Sequence, residues 1–155
     1  MTQKDKELLL VDLCARLPYM PKIKITYQQQ GIKGTDEGRV SCDFIEKIVN
    51  DLRNGVITDM QIYLRPMSSM TEEEAMEIAI LHDIKDILSV KVTSEYIDVI
   101  VDDGVCSTEI RTIWYDEIVS SIKCFDWLNA HHFDYRGLIE KGLAIEVMEK
   151  NNPYK

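Results

Sequence analysis

An α+β fold built on an antiparallel sheet is what this 155-residue chain predicts. Three patterns carry that expectation. Leu9, Leu10, Leu13 and Leu17 recur at helical spacing. Ile23, Ile25 and Tyr27 alternate with Lys22, Lys24 and Thr26 at strand spacing. The β-branched run Val90–Val101 leads into Asp102-Asp103-Gly104, whose Asp-Gly pair is a strong hairpin signal. The expected arrangement is one domain over residues 1–155, in which a sheet containing a hairpin at 90–112 packs against helices near 71–88 and 116–130.

Taken in order, the spacing predicts a helix over residues 5–17, with Asp12 and Arg16 outside its apolar stripe and Pro18 ending it. A strand follows at 22–30, and Gly31, Gly34 and Gly38 read as a polar loop. A second helix is expected from Asp43, spaced with Glu46 as a capping box, to Gly55. Ile57–Leu64 reads as a strand. Thr71-Glu72-Glu73-Glu74 then opens the clearest helix, with three glutamates where the helix dipole favours them and an apolar face running through Ala75 and Ile78 to Ile84 and Leu88. After the hairpin, Cys106, Thr108 and Ile110 mark the buried face of the return strand. Ile118, Ile122, Phe125 and Leu128 define a long helix. A short one is expected from Asp134 as N-cap to Gly142, and the tail 151–155 is expected to fray.

Composition narrows the class of molecule. Hydrophobic residues make up 45% and charged residues 29%, so the chain has the apolar content to bury a core and disorder is not expected. Cys14, Cys42, Cys106 and Cys124 form no C-x-x-C pair; they read as reduced, small core residues, and no cofactor or metal is expected. The apolar run after Glu7 is broken at Asp12, too soon for a signal peptide or a membrane span, which points to the reducing cytoplasm. Net charge is −9, distributed unevenly: residues 1–70 hold ten Lys/Arg against nine Asp/Glu, residues 71–155 eight against eighteen. Such an acidic half repels phosphate backbones and argues against a nucleic-acid binder, whereas a basic protein partner is compatible with it. A basic face could come only from the first half, through Lys22, Lys24, Lys33 and Arg39.

Three segments, LLLVDLCARLPY at 8–19, YLRPMSSMTEEE at 63–74 and DWLNAHHFDYRGLIEKGLAIE at 126–146, resemble a family of small proteins from anaerobic gut bacteria and their phages and mobile elements. They cover just under a third of the chain. The resemblance implies a genetic setting and brings no functional residues with it.

Candidate chemistry is sparse. His82-Asp83 is the dipeptide of HD-type metal phosphohydrolases, but no histidine precedes position 82 to supply the first ligand, and a solvated helix face accounts for it and for Asp86. His131, His132 and Asp134 are the better metal or acid/base residues, although adjacent histidines on a helix point in different directions. Tyr135 and Arg136 could contact a partner through stacking and a guanidinium fork, and Arg65 sits just ahead of the Met67–Met70 loop. There is no G-x-S-x-G elbow and no glycine-rich phosphate loop. The expectation is therefore a non-catalytic protein-binding or regulatory protein of a phage or mobile element. Arg65, Tyr135 and Arg136 are its candidate contacts. A metal-dependent hydrolase using His131, His132 and Asp134 is the first alternative, and a nucleic-acid-associated protein the second.

Overall fold

The structure, a computed structural model, describes residues 1–105 and 107–155. Its elements follow the order α1 (Gln3–Arg16), β1 (Lys22–Gln29), β2 (Ile32–Arg39), α2 (Cys42–Arg53), β3 (Ile57–Leu64), α3 (Glu72–Leu81), β4 (Ile87–Val92), β5 (Tyr96–Asp102), β6 (Thr108–Trp114), α4 (Tyr115–Ile118), α5 (Ile122–Ala130) and β7 (Ala144–Glu146). The fold is α+β, with two sheets dominated by antiparallel pairing. Two compact units contain them, the first formed by Met1–Arg65 with Asn129–Lys155, the second by Pro66–Leu128.

In the first unit the strand order is β2-β1-β3-β7. Helix α1 begins with a capping box between Thr2 and Asp5, and buries Leu9 and Leu13 in a core with Ile23, Met60, Ile62, Leu64 and Leu138. The segment of glycines expected to be a loop is instead strand β2. Gln30 and Gly31 both take positive φ, 51° and 81°, and form a two-residue turn that sets Gln29 opposite Ile32. Gly34 then lies across from Tyr27, whose ring fills the space a Cβ at Gly34 would occupy. Ser41, not Asp43, is the N-cap of α2, which leaves Asp43 in the first turn, where the helix dipole favours a carboxylate.

The C-terminal segment also departs from expectation. The helix expected over 134–142 does not form; the Asp134 carboxylate accepts the backbone N–H groups of Leu138 (2.9 Å) and Ile139 (2.8 Å) across a series of turns. These turns deliver β7, which pairs parallel to β3. The tail is held rather than frayed, because the Tyr154 hydroxyl donates to Tyr63 O (2.8 Å) and accepts from Lys22 N (3.1 Å).

The second unit carries a three-stranded sheet in the order β4-β5-β6. Thr71 and Glu74 form the capping box of α3 that the spacing predicts. The helix stops at Leu81, however, since Asp83 and Asp86 take φ values of 60° and 55°, so Ile84 and Leu88 leave its face and Ile87 starts a strand. The run 90–101 is two strands, broken where the Thr93 side chain donates to Tyr96 O (2.8 Å) and accepts from Tyr96 N (3.0 Å). The hairpin is β5–β6, its turn organised by the Asp103 carboxylate, which accepts from Val105 N, Ser107 N and the Ser107 hydroxyl. Thr108 and Ile110 are exposed and Ile113 is the buried residue of β6; Cys106 lies outside the described residues. The long helix over 116–130 is divided into α4 and α5 at Ser120 and Ser121, with the Ser120 hydroxyl bonded back to Glu117 O.

Two polar residues of α1 overturn the amphipathic reading. Asp12 and Arg16 are 0% exposed. Arg16 Nε donates to Asp12 Oδ2 at 2.7 Å, Arg16 Nη2 donates to Asp12 Oδ1 at 3.1 Å and to Phe133 O at 2.7 Å, and Arg136 Nε lies 3.2 Å from Asp12 Oδ1. Cys14 and Cys42, expected in the core, are exposed, and Cys124 is buried.

Removing one partner of a buried ion pair strands the other charge. Asp12→Ala should therefore lower the unfolding free energy by about 3–5 kcal/mol, read as a lower urea midpoint at unchanged slope. The double variant Asp12→Leu/Arg16→Met should recover most of that loss. An Asp12→Ala protein with a wild-type midpoint would show that the pair is not closed in solution.

Candidate functional site

The candidate residues 131–136 gather at one end of the first unit's sheet. Arg65, just past β3, donates its N–H to His132 O (2.8 Å) and accepts from Asp134 N (2.7 Å), so the strand end and the 131–136 segment are laced together by backbone. The Arg65 guanidinium lies 4.2 Å from the Phe133 ring centroid. Arg39, at the end of β2, donates from Nη2 to Pro153 O (3.1 Å) and sits 5.9 Å from the Tyr154 ring. Between them is an open cleft of about 330 Å³ lined by Arg39, Arg65, His131, His132, Asn152 and Tyr154.

His132 is 6% exposed, has φ of 58°, and stacks face to face on Tyr154 at 3.7 Å. Burial, reinforced by the positive charges of Arg16, Arg39, His131 and Arg65, pushes its pKa down to about 3, so the imidazole is neutral. Its Nδ1 is buried with no hydrogen-bond partner, as is Nη1 of Arg16. Burial likewise pushes the Tyr154 phenol up to about 12 against the opposing pull of the Lys22 backbone donor and the nearby arginines.

Tyr135 and Arg136, the other expected contacts, are half-buried. Tyr135 donates its hydroxyl to Asn129 Oδ1 (2.9 Å), and its ring centroid lies 5.1 Å from the guanidinium of Arg16 and from that of Arg136. Arg136 reaches Asp12. Both oxygens of Asp134 are occupied by backbone N–H groups, and among the described residues no three His, Cys, Asp or Glu side chains gather as a metal set. His82 caps the C-terminus of α3, with Asp83 in the left-handed region beside it. The basic strand face is partly neutralised, since Glu37 pairs with both Lys22 (3.4 Å) and Lys24 (3.7 Å). Burial raises the Cys124 thiol, which disfavours the nucleophilic thiolate.

A second feature, which the sequence reading passed over, lies in the other unit. Ala75, Ile78 and Ala79 bury one face of α3, leaving Met76 (37% exposed) and Ile80 (58%) on the opposite side next to Leu88 (56%) of β4. They floor a groove of about 350 Å³, rimmed by Glu72, Glu73 and Glu77. Glu77 is fixed by the Trp127 indole, which donates to Oε2 at 2.8 Å. The expected helical stripe runs through Leu88, which belongs instead to β4 and lines this groove.

The whole second unit holds four Lys/Arg against fourteen Asp/Glu. A larger groove of about 480 Å³ along β1 and α2 exposes Phe44, but Arg39, Lys47, Asp36 and Asp51 mix both signs around it and select no partner charge. Among the described residues no helix is long and apolar enough to cross a membrane. Compared with known proteins, the chain matches no family model, no curated protein and no solved structure.

The buried stack has a pH signature. His132 has a folded pKa near 3 against about 6.5 unfolded, so its contribution is complete above about pH 6.5 and is lost as pH falls toward 3, where the unfolded chain takes up a proton that the fold excludes. Tyr154, raised to about 12 from about 10, gives the mirror effect: its contribution is lost as pH rises between those values. His132→Phe keeps an aromatic ring in the stack and should flatten the stability slope between about pH 5 and 6.5, which for one proton is at most about 1.4 kcal/mol per pH unit. Urea titrations of both proteins across that range check it; parallel slopes would mean that His132 is not held neutral.

Proposed function

We propose that the protein is a non-catalytic binding protein of a phage or mobile element, acting in the cytoplasm by taking a basic amphipathic segment of another protein onto the groove of its second unit. One observation carries this reading. Met76, Ile80 and Leu88 form an exposed apolar floor inside a rim of three glutamates, in a unit with a large excess of acidic residues. An apolar floor rewards the burial of aliphatic side chains, at about 1.5–3 kcal/mol for each one fully buried. The acidic rim attracts Lys and Arg flanking those side chains, steers their approach and rejects acidic competitors. A helix presenting apolar residues at i, i+3 and i+4 between basic ones meets both requirements. The three segments at 8–19, 63–74 and 126–146 support the phage or mobile-element setting.

The surface position of these residues makes the test clean. Affinity purification from the native host should be run with wild type, with Ile80→Asp/Leu88→Asp and with Glu72→Lys/Glu73→Lys, each checked for folding by circular dichroism. The expected result is one protein retained by wild type, lost by both variants, eluted by raised salt, and cross-linked to the groove through a Lys/Arg-rich segment. A partner retained equally by both variants, or cross-linked through an acidic segment, overturns the reading.

A further inference from the structure

We infer that β6 is the surface through which two copies of this chain pair, antiparallel and in one register, about a two-fold axis at Ile110. Strand β6 is an edge of the sheet β4-β5-β6, and all of its residues but Ile113 are exposed. Two bonds at its ends fix which way its backbone faces. Asp103 N donates to Ser107 O (3.3 Å) and Tyr115 N to Glu95 O (3.1 Å), so by alternation Glu109, Arg111 and Ile113 exchange hydrogen bonds with β5. Thr108, Ile110 and Thr112 therefore turn their N–H and C=O groups outward, a ready template for another strand. At the far end Trp114 N is occupied by Glu117 Oε2 (3.2 Å), which closes the edge there.

The side chains select the strand that fits. With Ile110 opposite Ile110 of the second copy, Thr108 faces Thr112 and Thr112 faces Thr108, and each pair exchanges both of its N–H···O bonds. The same register sets Glu109 opposite Arg111 on either side of the axis, at the positions where facing side chains come closest. Within one chain these two lie 3.4 Å apart with about half of each side chain in solvent (55% and 51% exposed), so a second copy adds a cross-strand partner to each without breaking a buried contact. A slip of one residue turns the outward groups against groups already bonded to β5. A slip of two sets Glu109 against Glu109 or Arg111 against Arg111, like charges directly opposite. Ile110, 63% exposed, meets its own copy at the axis and leaves water. At the β2 edge, by contrast, Glu37 is already shared by Lys22 and Lys24, and Arg39 is held by Pro153 O.

The acidic excess of the second unit repels a second copy at long range. In about 0.15 M salt, charges more than about 8 Å apart are largely screened, whereas the facing Glu109–Arg111 pairs act at contact distance. The dimer is accordingly weak and concentration-dependent. Strand β4, which contributes Leu88 to the acidic groove, is the opposite edge of the sheet, so pairing through β6 stands or falls independently of what the groove binds.

Sedimentation equilibrium of the whole chain in about 0.15 M salt, from about 5 to about 500 µM, should show the mass rising from one chain toward two. Arg111→Glu and Glu109→Arg should each weaken dimerisation about tenfold or more, since each sets like charges opposite on both sides of the axis. An equimolar mixture of the two variants, in which every facing pair is again of opposite sign, should associate as tightly as wild type. The substituted side chains are exposed, so circular dichroism of both variants should match wild type. Amide hydrogen exchange read by NMR locates the contact: the Ile110 and Thr112 amides should slow as concentration rises, while those of β2 keep their rates. A single-chain mass at every concentration, variants that dimerise like wild type, or a mixture no tighter than either variant alone overturns the inference. So does protection that appears at β2 in place of Ile110, or protection of Ile110 that needs a host protein, which would assign the edge to a foreign strand.

Discussion

The buried ion pair between Asp12 and Arg16 is the constraint on which the first unit turns. Both side chains have lost their water, a desolvation of several kcal/mol per ion, and are tolerated only because nearly every donor and acceptor is met. Asp12 receives two hydrogen bonds from Arg16 and an ion-pair contact from Arg136, while Arg16 spends another donor on Phe133 O. Those partners come from opposite ends of the chain. The pair therefore specifies where the segment after α5 must run against α1, a task that the non-directional packing of Leu9 and Leu13 cannot perform.

Once that segment is placed, the rest of the cleft follows. Phe133, pinned through its carbonyl, offers its ring to Arg65, and the left-handed backbone at His132 turns the imidazole onto Tyr154. Tyr154 in turn bonds to Tyr63 O and Lys22 N and brings the tail to Arg39. The neutrality of His132 is a product of this assembly: it is enclosed by protein and surrounded by cations, and both conditions oppose a further positive charge.

The second unit solves a different problem. It has few cations, and its acids are spread over helix, turn and strand, so its surface field is negative on a scale larger than any single pair. Against that background the feature that discriminates is apolar. Met76 and Ile80 face away from the buried side of α3, and the turn through Asp83 and Asp86 places Leu88 in β4, where it lines the same groove.

Local pattern alone determined the elements whose reasons are local. The stripe of leucines in α1, the alternation in β1, the Thr71–Glu74 capping box and the α+β class all follow from side-chain periodicity and from donors met within one turn. The acidic character of the second unit was equally plain, because charge is counted without knowing where it lies. The glycines of β2 were misread because glycine's preference for turns is a local property, and cross-strand pairing with Tyr27 and Ile23 outweighed it. Asp12 and Arg16 looked solvent-facing because the carbonyl that satisfies Arg16 lies 117 residues away and the cation that joins Asp12 is Arg136. The tail looked free because Tyr154 finds Lys22 only across 132 residues. Arg39 and Arg65 are ordinary strand-end residues until tertiary structure brings those strand ends beside His132. Only the folded chain could decide this, since a polar or charged group is worth burying only where a distant partner is waiting for it.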